Sequence, residues 1–140
     1  MMLGVKGWDD QRWGREFYPE GMPEAWRLTY FNTQFACLYL QSADWQAASV
    51  DRMRGWAEDT HAQFRFLLEG AGDQPVPEPL AGRAVVMREH DPAIAWFDRR
   101  TGLRDLTARL GAEPSVKYVL SRDADLGQIE RVRTLLELLA

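Results

Sequence analysis

Phe35-Ala36-Cys37-Leu38-Tyr39-Leu40 is an unbroken apolar run set between Gln34 and Gln41. A short apolar run bounded by polar residues reads as a buried strand. Upstream, Leu3-Gly4-Val5-Lys6 is a second such stretch, ending at Gly7. Between the two, Pro23 suits the first turn of a helix, after which Trp26, Tyr30 and Phe31 fall at helical spacing and present one apolar face. Strand, helix and strand in that order make a β-α-β unit.

The same alternation continues downstream. Ser49 is placed to cap a helix over residues 50–60, in which Val50, Met53 and Trp56 recur at i, i+3 and i+6. Phe64 to Leu68 reads as a third strand. Residues 70–82 carry three prolines and three glycines and read as a loop or linker. Ala84 to Met87 is a further strand, whereas Ile94 to Phe97 fits either a strand or a loop packed on the sheet. Thr101 is placed to cap a helix whose Leu103, Leu106 and Leu110 face the core, with Gly111 at its C-terminal end. Val116 to Leu120 follows as a strand. Asp125, with Gln128 three residues on, has the spacing of a capping box for a last helix striped by Leu126, Ile129, Val132, Leu135, Leu136 and Leu139. The pattern predicts one α/β domain over residues 1–140, a mainly parallel sheet with flanking helices.

Composition narrows the function classes. The 140 residues are 46% hydrophobic and 27% charged, as in an ordinary globular domain. Seventeen basic against twenty-one acidic residues leave a net charge of −4, with the basic residues scattered, which argues against a nucleic-acid surface. The one cysteine, Cys37, lies in an apolar run and has no internal disulfide partner, which suits a reducing, cytoplasmic compartment. The opening residues do not resemble a leader peptide, and no stretch approaches the ~20 apolar residues of a membrane span. Two histidines and one cysteine are too few for the usual zinc site. No Walker loop, GxGxxG fingerprint or G-x-S-x-G elbow is present, which removes the usual signatures of nucleotide enzymes and α/β-hydrolases. No cofactor or metal is expected, although Asp9 and Asp10, with Glu16 and Glu20 nearby, can also be read as a carboxylate site for magnesium.

Gly7-Trp8, Trp13-Gly14, Phe17-Tyr18-Pro19, Leu28-Thr29-Tyr30-Phe31 and Phe35 together resemble the opening of the YecE-like family, a widespread family of unknown function with a TIM-barrel-like fold. Arg88-Glu89-His90-Asp91-Pro92, with Trp96 beyond, is similar to that family's Glu-x-Arg-His-Pro-Ser-Trp segment. The resemblance implies a barrel-like sheet. It also exposes departures: the family's second strand usually reads Val-Glu-x-Asn-x-Thr, and here its Glu, Asn and Thr positions are Tyr39, Gln41 and Ala43. A complete (β/α)₈ barrel takes roughly 250 residues. A shortened, divergent member with an open or partial barrel is therefore expected, and pairing with a second copy would cover its free edges.

Candidate ligand-binding residues follow from aromatic content and from predicted strand ends. Trp8, Trp13 and Tyr18 could line a pocket for a flat or sugar-like ligand, or could pack the first loop over the sheet. Gln41, Asp44 and Glu69 follow predicted strands, where α/β folds place ligands. His90 and Arg88 are the candidate catalytic groups, since a histidine near neutrality beside a carboxylate can move a proton. The competing reading of that segment is a polar turn before Pro92. His61 is expected to meet the C-terminal carbonyls of the preceding helix. Arg122 and the start of the last helix could receive a phosphate, against the repulsion of Asp123 and Asp125. Two functions are carried forward: a non-catalytic or degenerate binding or assembly domain, and a small hydrolase or isomerase acting on a sugar or phosphorylated metabolite.

Overall fold

A computed structural model describes residues 1–140. Six strands, β1 (Met2–Lys6), β2 (Cys37–Leu40), β3 (Arg65–Glu69), β4 (Ala84–Met87), β5 (Ile94–Phe97) and β6 (Tyr118–Ser121), form one sheet in the order β4-β3-β2-β1-β6-β5. Every pairing is parallel. Six helices flank it: α1 (Trp13–Glu16), α2 (Arg27–Gln34), α3 (Ser42–Gln46), α4 (Val50–Glu58), α5 (Leu103–Ala112) and α6 (Leu126–Leu139). The sheet curls into a half-barrel. Its strand order is that of a (β/α)₈ barrel read around the circle, with a gap between β4 and β5 where two further strands would stand. Residues 94–97 are a strand, because their backbone pairs with β6 from Ile94↔Tyr118 to Phe97↔Ser121.

Period-two alternation divides the side chains between two cores. Leu3, Val5, Leu38, Leu40, Phe66, Leu68, Ala95, Phe97 and Val119 pack with the helices in the larger cluster. Cys37, Tyr39, Leu67, Met87, Ile94 and Leu120 fill the concave face and are buried. Strands β1 and β2 approach closely: a Cβ on Gly4 would lie 2.5 Å from the Cys37 carbonyl oxygen and 2.6 Å from its Sγ.

Local chemistry sets the helix boundaries. Ser49 Oγ accepts from Arg52 N at 3.1 Å and caps α4; Asp125 Oδ1 accepts from Gln128 N at 2.9 Å and caps α6. The return half of the capping box is absent, since Gln128 is buried and its amide donates to the Thr101 carbonyl at 2.7 Å, docking α6 on the β5–α5 connection. Thr101 does not cap α5; Gly102 is the N-cap residue, and Thr101 Oγ1 accepts from Asp98 N. Gly111 lies inside α5 rather than past its end, because no left-handed residue is needed where Glu113 exits. Within residues 70–82, a 3-10 turn at Glu78–Leu80 buries Leu80 completely. The α4 terminus is closed by Arg83, not by His61: Arg83 donates to Thr60 Oγ1 and to the His61 carbonyl, each at 2.6 Å, while the exposed His61 ring accepts from Gln63 N.

Candidate functional site

The C-terminal strand ends of a barrel-like sheet are where its loops gather and where ligands bind in such folds. Two features occupy that rim. The first is a cleft beside the β1 end with two lobes of about 310 and 180 Å³, both lined by Trp8, Asp9, Arg52 and Trp56. Arg27, Glu24 and Asp59 complete the larger lobe, and Asp44 borders the smaller. Its aromatic wall is ordered. Trp8 and Trp56 meet edge to face at 5.8 Å, and the Tyr18 hydroxyl donates to the Trp8 carbonyl. The Arg27 guanidinium lies 5.1 Å over the Tyr18 ring and that of Arg52 lies 5.8 Å over Trp56. Burial pushes the Tyr18 phenol well above its ordinary pKa, which keeps it a neutral donor.

The second feature caps the concave face. Tyr39 Oη donates to Glu69 Oε2 at 2.8 Å, and Glu69 Oε1 accepts from Ser42 N at 3.3 Å. The Tyr39 ring meets Trp96 edge to face at 4.9 Å. Trp96 donates its indole N–H to the Glu89 carbonyl at 2.7 Å and lies under the Arg122 guanidinium at 4.4 Å. Arg122 is ion-paired to the Glu89 carboxylate, which that bond holds below the usual carboxylate range. The network ties the connection between β4 and β5 to the ends of β5 and β6, and so bridges the gap in the barrel order.

The residues singled out from sequence are distributed between these features and the core. Trp8 lines both lobes of the cleft and Asp44 the smaller one. Trp13 is fully buried and donates its indole N–H to the Ala124 carbonyl at 3.0 Å. Tyr18 is buried behind Trp8. Gln41 is exposed beyond β2. Glu69 belongs to the Tyr39 network. Arg88 and His90 are both exposed, and neither side chain makes a hydrogen bond or ion pair; His90 borders an open depression of about 340 Å³ with Glu89, Asp91, Trp96 and Arg122. Asp123, near the suggested phosphate position, accepts from Arg99 N, and Asp125 serves as the cap. No group of three or more His, Cys, Asp or Glu side chains is arranged to hold a metal ion, and no helix is long and apolar enough to cross a membrane.

Arg27 and Arg52 escaped the sequence reading, because an arginine on a helix is ordinarily a solvated one. Arg52 alone carries a signal: it lies in the first turn of α4, where the dipole favours anionic side chains, whereas Arg27 follows a 3-10 turn at Glu24–Trp26 that runs directly into α2.

The fold and rim define a parallel α/β protein of partial-barrel type with an aromatic cleft at the strand ends. A family model described as "Protein of unknown function DUF72" matches residues 2–73, slightly more than half of the chain, and the protein belongs to that family. DUF72 is the YecE-like family that the opening residues resemble. No curated protein and no solved structure matches the chain.

Proposed function

We propose that this DUF72 member is a non-catalytic small-molecule-binding protein and that the Trp8–Trp56 cleft is its binding site. The observation that carries this reading is the commitment of the carboxylates Glu69, Glu89 and Asp91 to partners other than His90. Glu89 is paired to Arg122, Glu69 to Tyr39, and the neighbouring Asp91 accepts from Ala93 N, so no carboxylate hydrogen-bonds the His90 ring. The depression beside His90 and the larger lobe of the Trp8–Trp56 cleft have similar volumes, about 340 and 310 Å³, but only the cleft sets two aromatic rings, Trp8 and Trp56, in its wall. The free edges of β4 and β5 make self-association compatible with this function.

Native mass spectrometry of the purified protein, with the released small molecules followed by NMR over hours, tests the reading. A retained molecule that is released unchanged, and is no longer retained by Trp8→Ala, is expected. Conversion of that molecule, abolished by His90→Ala or Arg88→Ala in folded protein, would establish the alternative of a small hydrolase or isomerase.

A further inference from the structure

We infer that β4 is an open sheet edge and that it pairs with the β4 of a second copy of this chain, antiparallel about a twofold axis at Val85. The inference stands apart from the Trp8–Trp56 cleft and gives self-association one edge and one register.

The two edges of the sheet differ. Lys117 N donates to the Ala93 carbonyl at 2.9 Å and Arg122 N to that of Phe97 at 2.8 Å, so Ile94 and Trp96 are the residues of β5 whose backbone groups face away from β6. No strand stands beside them, yet at Ile94 both groups are occupied. Its N–H donates to the Asp91 carbonyl at 3.0 Å, and its carbonyl accepts from Arg109 Nη2 at 3.2 Å. The neighbouring Trp96 ring lies under Arg122. A tight turn and charged side chains laid on an edge are the means by which a sheet refuses a further strand.

β4 has neither. Phe66 N donates to the Arg83 carbonyl at 2.9 Å and Gly70 N to that of Met87 at 3.0 Å, which turns Arg83, Val85 and Met87 towards β3 and leaves the N–H and C=O groups of Ala84 and Val86 facing outward. No strand stands beside these groups, and no turn or loop bonds to any of them. Ala84-Val85-Val86-Met87 carries no charge and no proline. Val85 is 39% exposed, and among the large apolar side chains open to solvent it alone lies on a strand.

A second copy is the occupant these features fit. Closure of β5 excludes the head-to-tail pairing of β4 with β5 that would string copies into a filament, and leaves a closed, twofold pair as the arrangement in which this chain supplies both edges. Outward groups must meet outward groups, so Ala84 bonds to Val86 across the axis, and Val85 meets its own counterpart in the closer, non-hydrogen-bonded position. There the two β-branched side chains pack on each other. The charges agree with this register: Arg83 falls opposite Met87 and Arg88 opposite Gly82, so no like charges face each other, and Arg83 is already held by Thr60 and the His61 carbonyl. A ladder this short is small beside the roughly 1,200 Å² of a stable complex, so the dimer is weak and concentration-dependent.

Sedimentation velocity of the full chain over an about hundredfold range of concentration should show a reversible monomer–dimer equilibrium with no larger species. Val85→Lys sets like charges across the axis and should raise the dimer dissociation constant at least about tenfold. Val85→Cys gives a second test: Cα atoms of a non-hydrogen-bonded antiparallel pair stand about 4.5 Å apart, within disulfide reach. Mild oxidation should therefore yield a covalent dimer of Val85→Cys, whereas Val50→Cys, exposed on α4, should stay monomeric. The native Cys37 is buried and takes no part. If Val85→Lys fails to fold, the Val85→Cys result decides alone. A chain that remains monomeric to about 1 mM, with Val85→Cys not crosslinked, would overturn the proposal. So would a dimer that Val85→Lys leaves unchanged and that does not crosslink at residue 85, or growth into larger assemblies, which would show that the β5 edge is open.

Discussion

Tyr39 and Glu69 join neighbouring strands by a hydrogen bond on the concave face, the phenol donating to the carboxylate two residues beyond the register pairing of Tyr39 with Leu67. The position where the family pattern has a glutamate is thus uncharged, yet it is tied to a carboxylate from the next strand. Tyr39 is fully buried, while Glu69 is partly exposed. Glu69→Ala would strand a buried hydroxyl and should cost about 1–3 kcal/mol, whereas Tyr39→Phe leaves a carboxylate that water can reach and should cost about 1 kcal/mol. Urea unfolding of both single variants and the double variant should show a double-variant loss smaller than the sum. Strict additivity would mean that the bond contributes nothing.

Gly4 is held against Cys37 by the β1–β2 pairing, and neither the Cys37 carbonyl nor its buried side chain can retreat without moving β2. Gly4→Ala should therefore lower stability by about 1–3 kcal/mol in chemical denaturation. An unchanged midpoint would show that the two strands sit farther apart than described.

Cys37 is fully buried, and burial alone pushes its thiol far above the ordinary range, leaving almost no thiolate at neutral pH. Native protein should react with a thiol-specific disulfide reagent only at the rate of global unfolding, and in full once denaturant is added. Rapid stoichiometric labelling of the folded chain would contradict this burial.

How much of this was legible in the sequence depends on the element. Strand runs such as Ala84 to Met87 announce themselves because both faces are apolar, and the helix after Ser49 shows its cap and period together. α1 and α3 leave no signature in the sequence, because four or five residues contain no full hydrophobic period. Ile94 to Phe97 stayed open between strand and loop because its partner, β6, comes more than twenty residues later and pairing is not written in local pattern. In the candidate cleft, Trp8 and Asp44 stand out in the sequence because they follow strands. Arg27 does not, since nothing local distinguishes an arginine whose Nε will lose contact with water.

The Glu89–Arg122 and Asp10–Arg12 pairs give stability an acid limb. In each, the hydrogen bond from the arginine holds the folded carboxyl below its usual pKa. Stability from such a group is complete above the ordinary carboxylate value near ~4 and is lost as pH falls through the depressed folded value. Both pairs are solvent-exposed, so the effect on the melting temperature should be small. Carbon-detected NMR titration gives a sharper reading: the Glu89 carboxyl should titrate below the ordinary range in wild type and return towards it in Arg122→Ala. An identical midpoint in the two proteins would show that the pair does not form.

The six tryptophans allow the cleft itself to be tested. Trp13, Trp45 and Trp96 donate their indole N–H groups to backbone carbonyls, whereas Trp8 and Trp56 line the cleft without such bonds. Titration of nitrogen-15-labelled protein with the small molecule released in native mass spectrometry, read at the indole cross-peaks, should shift Trp8 and Trp56 saturably and leave Trp13, Trp45 and Trp96 in place. Movement of Trp96 with Trp8 unchanged would put the ligand on the Glu89–Arg122 network and contradict the assignment of the cleft.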